Sequence, residues 1–324
     1  MEKVSWKGHG AMLSANVMWG LMSPMAKTVL LGGVVNSFVL AGLRVFGAMV
    51  LFWLVSFFQK PEHVHHKDLL ALFGASLLAI VFNQGSFIFG VGLTSPVNAS
   101  IITTSMPLLA MVLAAFILKE PVTGKKVLGI AAGAAGALLL IVGGGGADLT
   151  SQGGKNAILG DLLVLSAQFC YALYIVLYKD FVSKYSLVTI MKWMFTYAFV
   201  CMLPFSYRSL LATDWAALTA AAWGDIAFIV VCGTFVSYLC IVVGQKALRP
   251  TVAGMYNYVQ PIVATILAVC WGMESFSWLK LFSVALIFSG VYLVTASRSR
   301  AEMEHYEREQ AESAAGSGAG EAAR

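Results

Sequence analysis

Polar and aromatic side chains occur inside long apolar stretches of this sequence, where a buried hydrogen-bonding group needs a partner. The candidates for contact with a solute are Asn16, Trp19, Asn83, Gln84, Asn98, Thr103, Gln168, Tyr171, Tyr238, Tyr256, Asn257 and Gln260. A cavity lined by amides and aromatic faces suits a small polar or amphipathic organic solute. The competing interpretation is that such groups only join neighbouring helices by hydrogen bonds, and the sequence leaves both open.

Four cations lie within or at the ends of these stretches, where a charge is costly unless it has a use. They are Lys27, Arg44, Lys179 and Lys192, which we interpret as gating or structural charges. Arg44 lies about 12 Å from one end of its stretch at 1.5 Å per residue, so it requires a partner or an aqueous cavity. Lys27 and Lys179 have the alternative of extending their ammonium groups to the nearest interface.

Among the prolines of these stretches, the candidates for a kink within a helix are Pro24, Pro107 and Pro261. Each removes a helical hydrogen bond, so we predict a kink at each position. A kink can serve as a hinge or as a static bend, and the sequence does not separate the two.

Catalytic and metal-binding patterns are missing from the sequence. It has no HExxH, GxSxG or Walker A motif, and the segment His63–His66 has no cysteine or clear carboxylate set beside it. We therefore predict no enzyme, no metal site and no cofactor. The acidic residues closest to the apolar stretches lie outside them or near their ends: Asp68, Glu120, Asp161, Asp180, Asp225 and Glu274. A mid-stretch proton relay is thus disfavoured, and an uncharged, zwitterionic or anionic solute is favoured.

The composition indicates which elements position these residues. Of the 324 residues, 59% are hydrophobic and 11% are charged, with a mean hydropathy of +0.81, whereas soluble domains carry about 25% charged residues. Ten apolar blocks are each long enough to cross a bilayer as a helix. They cover approximately residues 8–31, 36–59, 69–92, 96–118, 126–144, 157–178, 187–207, 223–246, 251–273 and 277–297.

The distribution of positive charge predicts an orientation. Of the 21 Lys and Arg residues, 15 fall on one side of the ten blocks and three on the other. The positive-inside rule places the richer side in the cytoplasm, and an even number of spans then places both termini there. We expect an integral protein of a bacterial inner (plasma) membrane.

An internal repeat divides the chain into two halves. A shift of 154 residues aligns Pro96 with Pro250 and Pro107 with Pro261, and a shift of 152 aligns Trp19 with Tyr171. Each half has five blocks, so the second half enters the membrane from the opposite side. We predict an all-α membrane protein with ten transmembrane helices as two inverted five-helix repeats, 1–145 and 156–297, with a charged, disordered cytoplasmic tail at 298–324. Transporters of this architecture bind substrate near the midplane, between the repeats.

The sequence resembles the EamA-type branch of the drug/metabolite transporter superfamily over about residues 8–297. The resemblance rests on Asn16-x-x-Trp19-Gly20, Arg44, the segment 94–99 (TSPVNA), Pro107 and the segment 119–121 (KEP), with 249–253 (RPTVA), Pro261 and Glu274 in the second half. The second half departs from the pattern at Ser275, where the first has Pro121.

The resemblance implies a carrier that works by alternating access, commonly an exporter of amino acids or related metabolites. It also implies that the first, third, fourth, sixth, eighth and ninth helices form the cavity. We therefore predict an exporter or facilitator of a small organic metabolite, acting as a monomer or homodimer without nucleic acid. A nucleotide-sugar or multidrug carrier is the alternative, and a membrane-embedded enzyme or structural membrane protein is a weaker one.

Overall fold

The computed structural model describes residues 6–119, 124–144, 152–178, 181, 184–247, 256–273 and 277–295, and its regular structure there is entirely helical. The α-helices are α1 Trp6–Leu31, α2 Ser37–Ser56, α3 His66–Ser76, α4 Asn83–Leu93, α5 Pro96–Thr103, α6 Met106–Ile117, α7 Gly124–Gly144, α8 Gln152–Leu177, α9 Leu187–Ala212, α10 Ala220–Val230, α11 Ser237–Ala247, α12 Val259–Cys270 and α13 Trp278–Thr295. The predicted all-α fold class is confirmed for this part of the chain.

Within the described residues, six helical stretches are long and apolar enough to cross a membrane: Ser37–Ser56, His66–Leu93, Pro96–Ile117, Asn156–Leu177, Leu187–Ala212 and Ala220–Gly244. The shorter apolar helices Val259–Cys270 and Trp278–Leu293 accompany them. Large apolar side chains face outward, with Phe58 89%, Leu211 82% and Phe116 80% exposed. So much exposed apolar surface is stable against lipid rather than water, and the chain is an integral membrane protein.

Two of the long stretches contain a π-helical turn at equivalent positions. Leu77–Phe82 joins α3 to α4, and Val231–Val236 joins α10 to α11. The two segments are 154 residues apart at both ends, which is the shift that aligns the prolines. Each half therefore carries the same local distortion. A π turn widens the helix and is frequent at functional sites.

The three predicted proline kinks have different surroundings. The helix ends at Thr103 and starts again at Met106, with Pro107 in the first turn of α6. In the second half the 3₁₀ turn Tyr256–Tyr258 precedes α12, which contains Pro261 near its start. By contrast, α1 runs through Pro24 without interruption. Pro107 therefore follows a break between two α-helices, and Pro261 follows a change from a 3₁₀ turn to an α-helix, whereas Pro24 coincides with neither.

The contacts between helices follow a two-fold pattern. Pairs of equivalent helices, α7 with α13 and α2 with α9, pack against each other. The remaining large contacts occur in exchanged pairs: α1 packs on α11 as α8 packs on α4, and α1 packs on α12 as α8 packs on α6. Each half thus lays its first helix against the other half, which places the faces of α1 and α8 at the junction.

Glycines allow the closest of these packings. A Cβ atom built on Gly290 in α13 would lie 2.6 Å from the backbone nitrogen of Gly133 in α7. One built on Gly136 would lie 2.8 Å from the carbonyl oxygen of Ser283. The glycines of α7 and α13 therefore bring the backbones of these two helices into direct contact.

The loop between α2 and α3 is held against the start of α9. The carboxylate of Glu62 accepts hydrogen bonds from the Ser186 backbone nitrogen at 3.0 Å and the Ser186 hydroxyl at 2.8 Å. The Ser186 hydroxyl also caps α9 by accepting from the Thr189 backbone nitrogen. A carboxylate here is favoured by the positive end of the helix dipole.

Candidate functional site

A cavity of about 100 Å³ lies between the two halves. One buried water needs about 10 to 15 Å³ of such space, so several waters or one small solute fit. Its walls come from α1, α2, α4, α5, α6, α8, α11, α12 and the 3₁₀ turn before α12. The lining residues are Trp19, Met22, Arg44, Asn83, Phe87, Ser100, Thr103, Met106, Gln168, Tyr171, Tyr238, Asn257 and Gln260.

Eight of the predicted solute-contacting residues line this cavity: Trp19, Asn83, Thr103, Gln168, Tyr171, Tyr238, Asn257 and Gln260. Several are equivalent in the two halves. Trp19 and Tyr171 are related by the shift of 152, and Thr103 and Asn257 by the shift of 154. The structure thus brings together polar groups that the sequence separates by more than 230 residues.

Gln84 and Asn16 lie behind the lining. The Gln84 amide nitrogen donates to the Tyr238 hydroxyl at 3.3 Å, and these two residues are equivalent under the shift of 154. The Gln84 side-chain oxygen is buried and accepts no hydrogen bond from the described residues. Asn16 accepts from the Gln260 amide nitrogen at 2.8 Å and donates to the Met12 carbonyl oxygen. Both residues therefore orient a side chain that faces the cavity.

Arg44 is the cation in the described cavity lining. The side chain is only 4% exposed, and its Nε donates to the Thr234 hydroxyl at 2.7 Å. Thr234 lies in the second π segment and donates in turn to the carbonyl oxygen of Ile229 at 2.9 Å. Arg44 forms no ion pair with any residue that the structure describes.

Two of the other predicted cations, Lys27 and Lys192, lie away from the cavity lining. The Lys27 ammonium donates to the carbonyl oxygens of Gly92 at 2.8 Å and Thr94 at 2.9 Å, at the end of α4, where the helix dipole favours a cation. The Lys192 ammonium lies 5.0 Å from the centre of the Trp53 ring, within the range of a cation–π interaction. Lys179 lies outside the described residues.

A buried polar cluster closes one end of the bundle, which we call the Lys27 end. Asp161 is fully buried in α8 and accepts hydrogen bonds from the Thr94 hydroxyl and, at 3.3 Å, from the Asn98 amide. The Ser23 hydroxyl donates to the carbonyl oxygen of Pro96 at 2.8 Å. Asn98, a predicted cavity residue, thus lies in this cluster rather than in the lining.

The opposite end of the bundle, the His9 end, joins α1 to the start of the α12 segment. His9 Nδ1 and the Tyr256 hydroxyl share a hydrogen bond of 2.7 Å. Tyr256, another predicted cavity residue, therefore lies at the periphery of the bundle. The position of Tyr256 in the bundle could not be predicted from the sequence, because it depends on the residue at which the following helix begins.

A close helix crossing lies at each of these two ends. At the Lys27 end, a Cβ atom built on Gly90 would lie 2.7 Å from the carbonyl oxygen of Gly160. At the His9 end, one built on Gly244 would lie 3.4 Å from the carbonyl oxygen of Gly8 and would overlap the Met12 side chain. Gly90 and Gly244 are 154 residues apart and Gly8 and Gly160 are 152 apart, so the two crossings are equivalent.

Sequence reasoning did not select four lining residues for the solute: Met22, Phe87, Ser100 and Met106. Three of the four are apolar, so their residue type does not distinguish them from the rest of an apolar block. Met106 could have been found through the repeat, since it is equivalent to Gln260 under the shift of 154. The burial of Asp161 was also not foreseen, because it depends on how α8 crosses α4 and α5.

The model of the EamA-like transporter family matches the chain twice, over residues 6–142 and 158–296. The two matches follow the two halves that the shifts of 152 and 154 relate, so the chain contains a duplicated unit. They cover more than half of the sequence, and the resemblance drawn from the sequence motifs is confirmed.

Similar proteins include two from Bacillus subtilis (strain 168). "Uncharacterized transporter YetK" is 22% identical over 265 residues, covering 81% of this chain and 79% of that protein. "Uncharacterized transporter YyaM" is 28% identical over 240 residues, covering 71% and 74%. "WAT1-related protein At3g53210" from Arabidopsis thaliana is 24% identical over 270 residues, covering 75% and 73%.

A solved crystal structure has a similar fold, with a TM-score of 0.58 and 16% identity over 89% of this chain and 95% of that one. The likeness at this identity concerns the fold alone. Together with the apolar helices and the duplicated match, the comparisons establish that the chain belongs to the EamA-like transporter family of membrane proteins.

Proposed function

We propose that the chain is a secondary carrier that moves a small organic metabolite, such as an amino acid, across a bacterial inner membrane by alternating access. The observation that carries the proposal is the cavity between the two halves, lined by equivalent residues such as Trp19 and Tyr171. A site shared by two related halves can be uncovered from either side when one half rocks against the other. We favour an exporter or a facilitator.

The proposed topology has ten spans and two inverted halves, 1–145 and 156–297, followed by a cytoplasmic tail at 298–324. Its support is the ten apolar blocks, the asymmetry of Lys and Arg, and the exchanged helix pairs α1–α11 and α8–α4. An odd number of spans in each half gives the two halves opposite orientations. In this topology the Lys27 end faces outward and the His9 end faces the cytoplasm.

The two glycine crossings provide the proposed gates. Gly90 and Gly160 bring α4 and α8 together at the outer end, and Gly8 and Gly244 bring α1 and α11 together at the inner end. Separation of one pair while the other stays closed would expose the cavity to one side at a time. The hydrogen bonds of Lys27 and Asp161 hold the outer pair in the conformation described here.

Flux measurements in proteoliposomes test the proposal. The purified protein is reconstituted, and entry of labelled amino acids and other small metabolites is compared with empty liposomes, with and without a pH gradient. We expect saturable flux of at least one solute, and competition by unlabelled solute. A broad panel in which no solute moves faster than in empty liposomes contradicts the carrier function.

A further inference from the structure

We propose that the cavity binds its substrate through a carboxylate that pairs with Arg44, so that the substrate is a small carboxylate-bearing metabolite. This inference rests on the proposed transport function and names the chemical class of its cargo. It assigns Arg44 to substrate recognition, whereas the sequence alone indicates a gating or structural charge.

The first support is the hydrogen bonding of the guanidinium group. Arg44 has five N–H donors, and the Nε–H bond to Thr234 uses one of them. The two terminal nitrogens make no hydrogen bond to any residue that the structure describes. Since Arg44 lines the cavity, these nitrogens are available to a bound solute.

The second support is charge. No carboxylate occurs among the described lining residues, so Arg44 gives the cavity a formal charge of one positive unit. A buried, unpaired cation is costly in a membrane, and an arriving anion offsets that cost. The planar guanidinium matches a carboxylate with two parallel hydrogen bonds, which a lysine ammonium cannot reproduce.

The remaining lining narrows the class. Trp19, Tyr171 and Tyr238 contribute aromatic side chains to the lining, and Asn257 and Gln260 contribute amide groups. Rings and amide oxygens can hold an ammonium group, so a zwitterion with its carboxylate on Arg44 is compatible with the site. A diphosphate would require more than one cation, and a cavity of about 100 Å³ is small for a nucleotide sugar. Amino acids and related monocarboxylates fit best.

A purely structural Arg44 is the competing explanation, because its bond to Thr234 ties α2 to the second π segment. The two roles differ in selectivity. If Arg44 only supports the fold, its loss should weaken flux of every solute to the same extent. If Arg44 binds a carboxylate, its loss should abolish the preference for acids over their uncharged or cationic analogues.

The test compares wild type, Arg44→Lys and Arg44→Gln in proteoliposomes. Arg208→Gln is the matched control, because Arg208 is exposed and contacts Tyr207 at the protein surface. Each neutral amino acid that is transported competes with its own methyl ester and decarboxylated amine, for example phenylalanine with its methyl ester and phenethylamine. Size-exclusion profiles and melting temperatures establish that each variant is folded.

We expect the wild type and Arg208→Gln to prefer the acid over both analogues by roughly tenfold or more, as for a hydrogen-bonded charge pair. Arg44→Gln should lose this preference, and Arg44→Lys should keep part of it. Equal competition by acid, ester and amine in the wild type would overturn the inference. So would an Arg44→Gln variant that retains the wild-type preference.

A binding measurement separates this inference from the transport proposal. Melting temperatures in detergent are recorded with the acids, esters and amines of the same panel. Stabilisation by acids that Arg44→Gln abolishes supports the carboxylate site, even if no flux is seen and the carrier function fails. Flux without any acid-selective stabilisation or competition supports the carrier function and contradicts the Arg44 role.

Discussion

At the level of single residues, the aromatic side chains of the cavity lining offer apolar surface to an organic solute. The Trp19 and Tyr238 rings meet edge to face with their centroids 6.2 Å apart, and the Tyr171 and Tyr174 centroids lie 5.8 Å apart. Each ring is thus positioned by another aromatic side chain. A solute that enters the cavity displaces water from these faces, which favours binding.

Trp19→Ala should therefore lower flux by roughly tenfold, which corresponds to about 1.4 kcal/mol of lost binding, because it removes one face of the site. Trp19→Phe should keep part of the activity, since a smaller ring remains. The measurement is initial flux at low solute concentration in proteoliposomes. Trp6→Ala is the control, because Trp6 is 79% exposed at the start of α1; equal flux in both alanine variants would contradict the role of Trp19.

Glu62 leads to a prediction about pH. Partial burial alone would favour the neutral carboxyl, but hydrogen bonds from Thr189 and Ser186 and the nearby charge of Lys192 lower the pKa of Glu62. A lowered folded-state pKa means that the ionised carboxylate stabilises the fold above its usual pKa of about 4.3. This contribution is lost as pH falls through the folded-state pKa.

Glu62→Gln should accordingly melt below the wild type at pH 7, and the difference should disappear on acidification below about pH 4. Melting temperatures in detergent across this pH range provide the measurement. A difference that stays constant from neutral to acidic pH would show that the carboxylate charge has no part in holding the loop against α9.

Part of the site could be predicted from single residues. Trp19, Gln168 and Gln260 were identifiable because polar and aromatic groups deep in apolar blocks are costly unless they meet other polar groups. The contact between Asn98 and Asp161 was not, because it depends on the crossing of α5 and α8. The placement of Arg44 in the cavity likewise requires the position of Thr234, which is 190 residues away.

At the level of elements, the two π segments show what periodicity cannot reveal. Leu77–Phe82 and Val231–Val236 read as ordinary apolar helix, because a π turn changes the hydrogen-bond spacing without changing the polarity of the residues. The first π segment ends directly before Asn83, and the second holds Thr234 against Arg44. Both distortions therefore adjoin residues that line or support the cavity.

The α7–α13 contact provides a prediction about packing. Gly290→Ala should destabilise the protein by about 1 to 3 kcal/mol, because the added methyl overlaps the backbone of α7, which cannot move aside cheaply. Gly224→Ala in α10 is the matched control, since a Cβ atom there meets nothing within 4 Å. That change should be neutral or stabilising by up to about 1 kcal/mol.

Thermal unfolding in detergent measures both variants. A Gly290→Ala protein as stable as Gly224→Ala would mean that α7 and α13 can separate without cost. The close approach would then have no structural importance.

At the level of the whole molecule, the two glycine crossings predict a gating cycle. With the native cysteines replaced by serine, a short bis-methanethiosulfonate cross-link between Thr94→Cys and Asp161→Cys at the outer end should stop flux. So should one between His9→Cys and Tyr256→Cys at the inner end, because each pair of side chains is in contact in the structure. Each cross-link would hold one end of the cavity shut, and a reductant should restore flux. Labelled solute uptake before and after reduction is the measurement.

The same cross-link between Trp53→Cys and Thr196→Cys is the control, because these two side chains join α2 to α9 at positions outside the cavity lining. Flux should survive that cross-link. Full activity with either end cross-linked would contradict alternating access between these ends.

More of the fold than of the site could be predicted from the sequence. Composition and block length were sufficient for an all-helical membrane protein, and the repeat in the sequence agrees with the two matches to the family model. The number of spans follows less directly, because α12 and α13 are shorter than the six long apolar stretches. A short helix crosses a bilayer only with help from neighbouring helices or from local thinning of the bilayer. Neither effect can be predicted from the sequence of one apolar block.

The unequal placement of Arg44 and Lys192 has a kinetic consequence. Arg44 belongs to α2 and Lys192 to the equivalent helix α9, yet Arg44 lines the cavity and the Lys192 ammonium lies over the Trp53 ring. A solute bound to Arg44 has its carboxylate fixed relative to one half of the protein. The same end of the solute therefore faces forward during export and backward during import. The half-saturation concentrations on the two faces of the membrane should therefore differ even though the halves are alike, and without an ion gradient the maximal rates in the two directions should differ by the same factor.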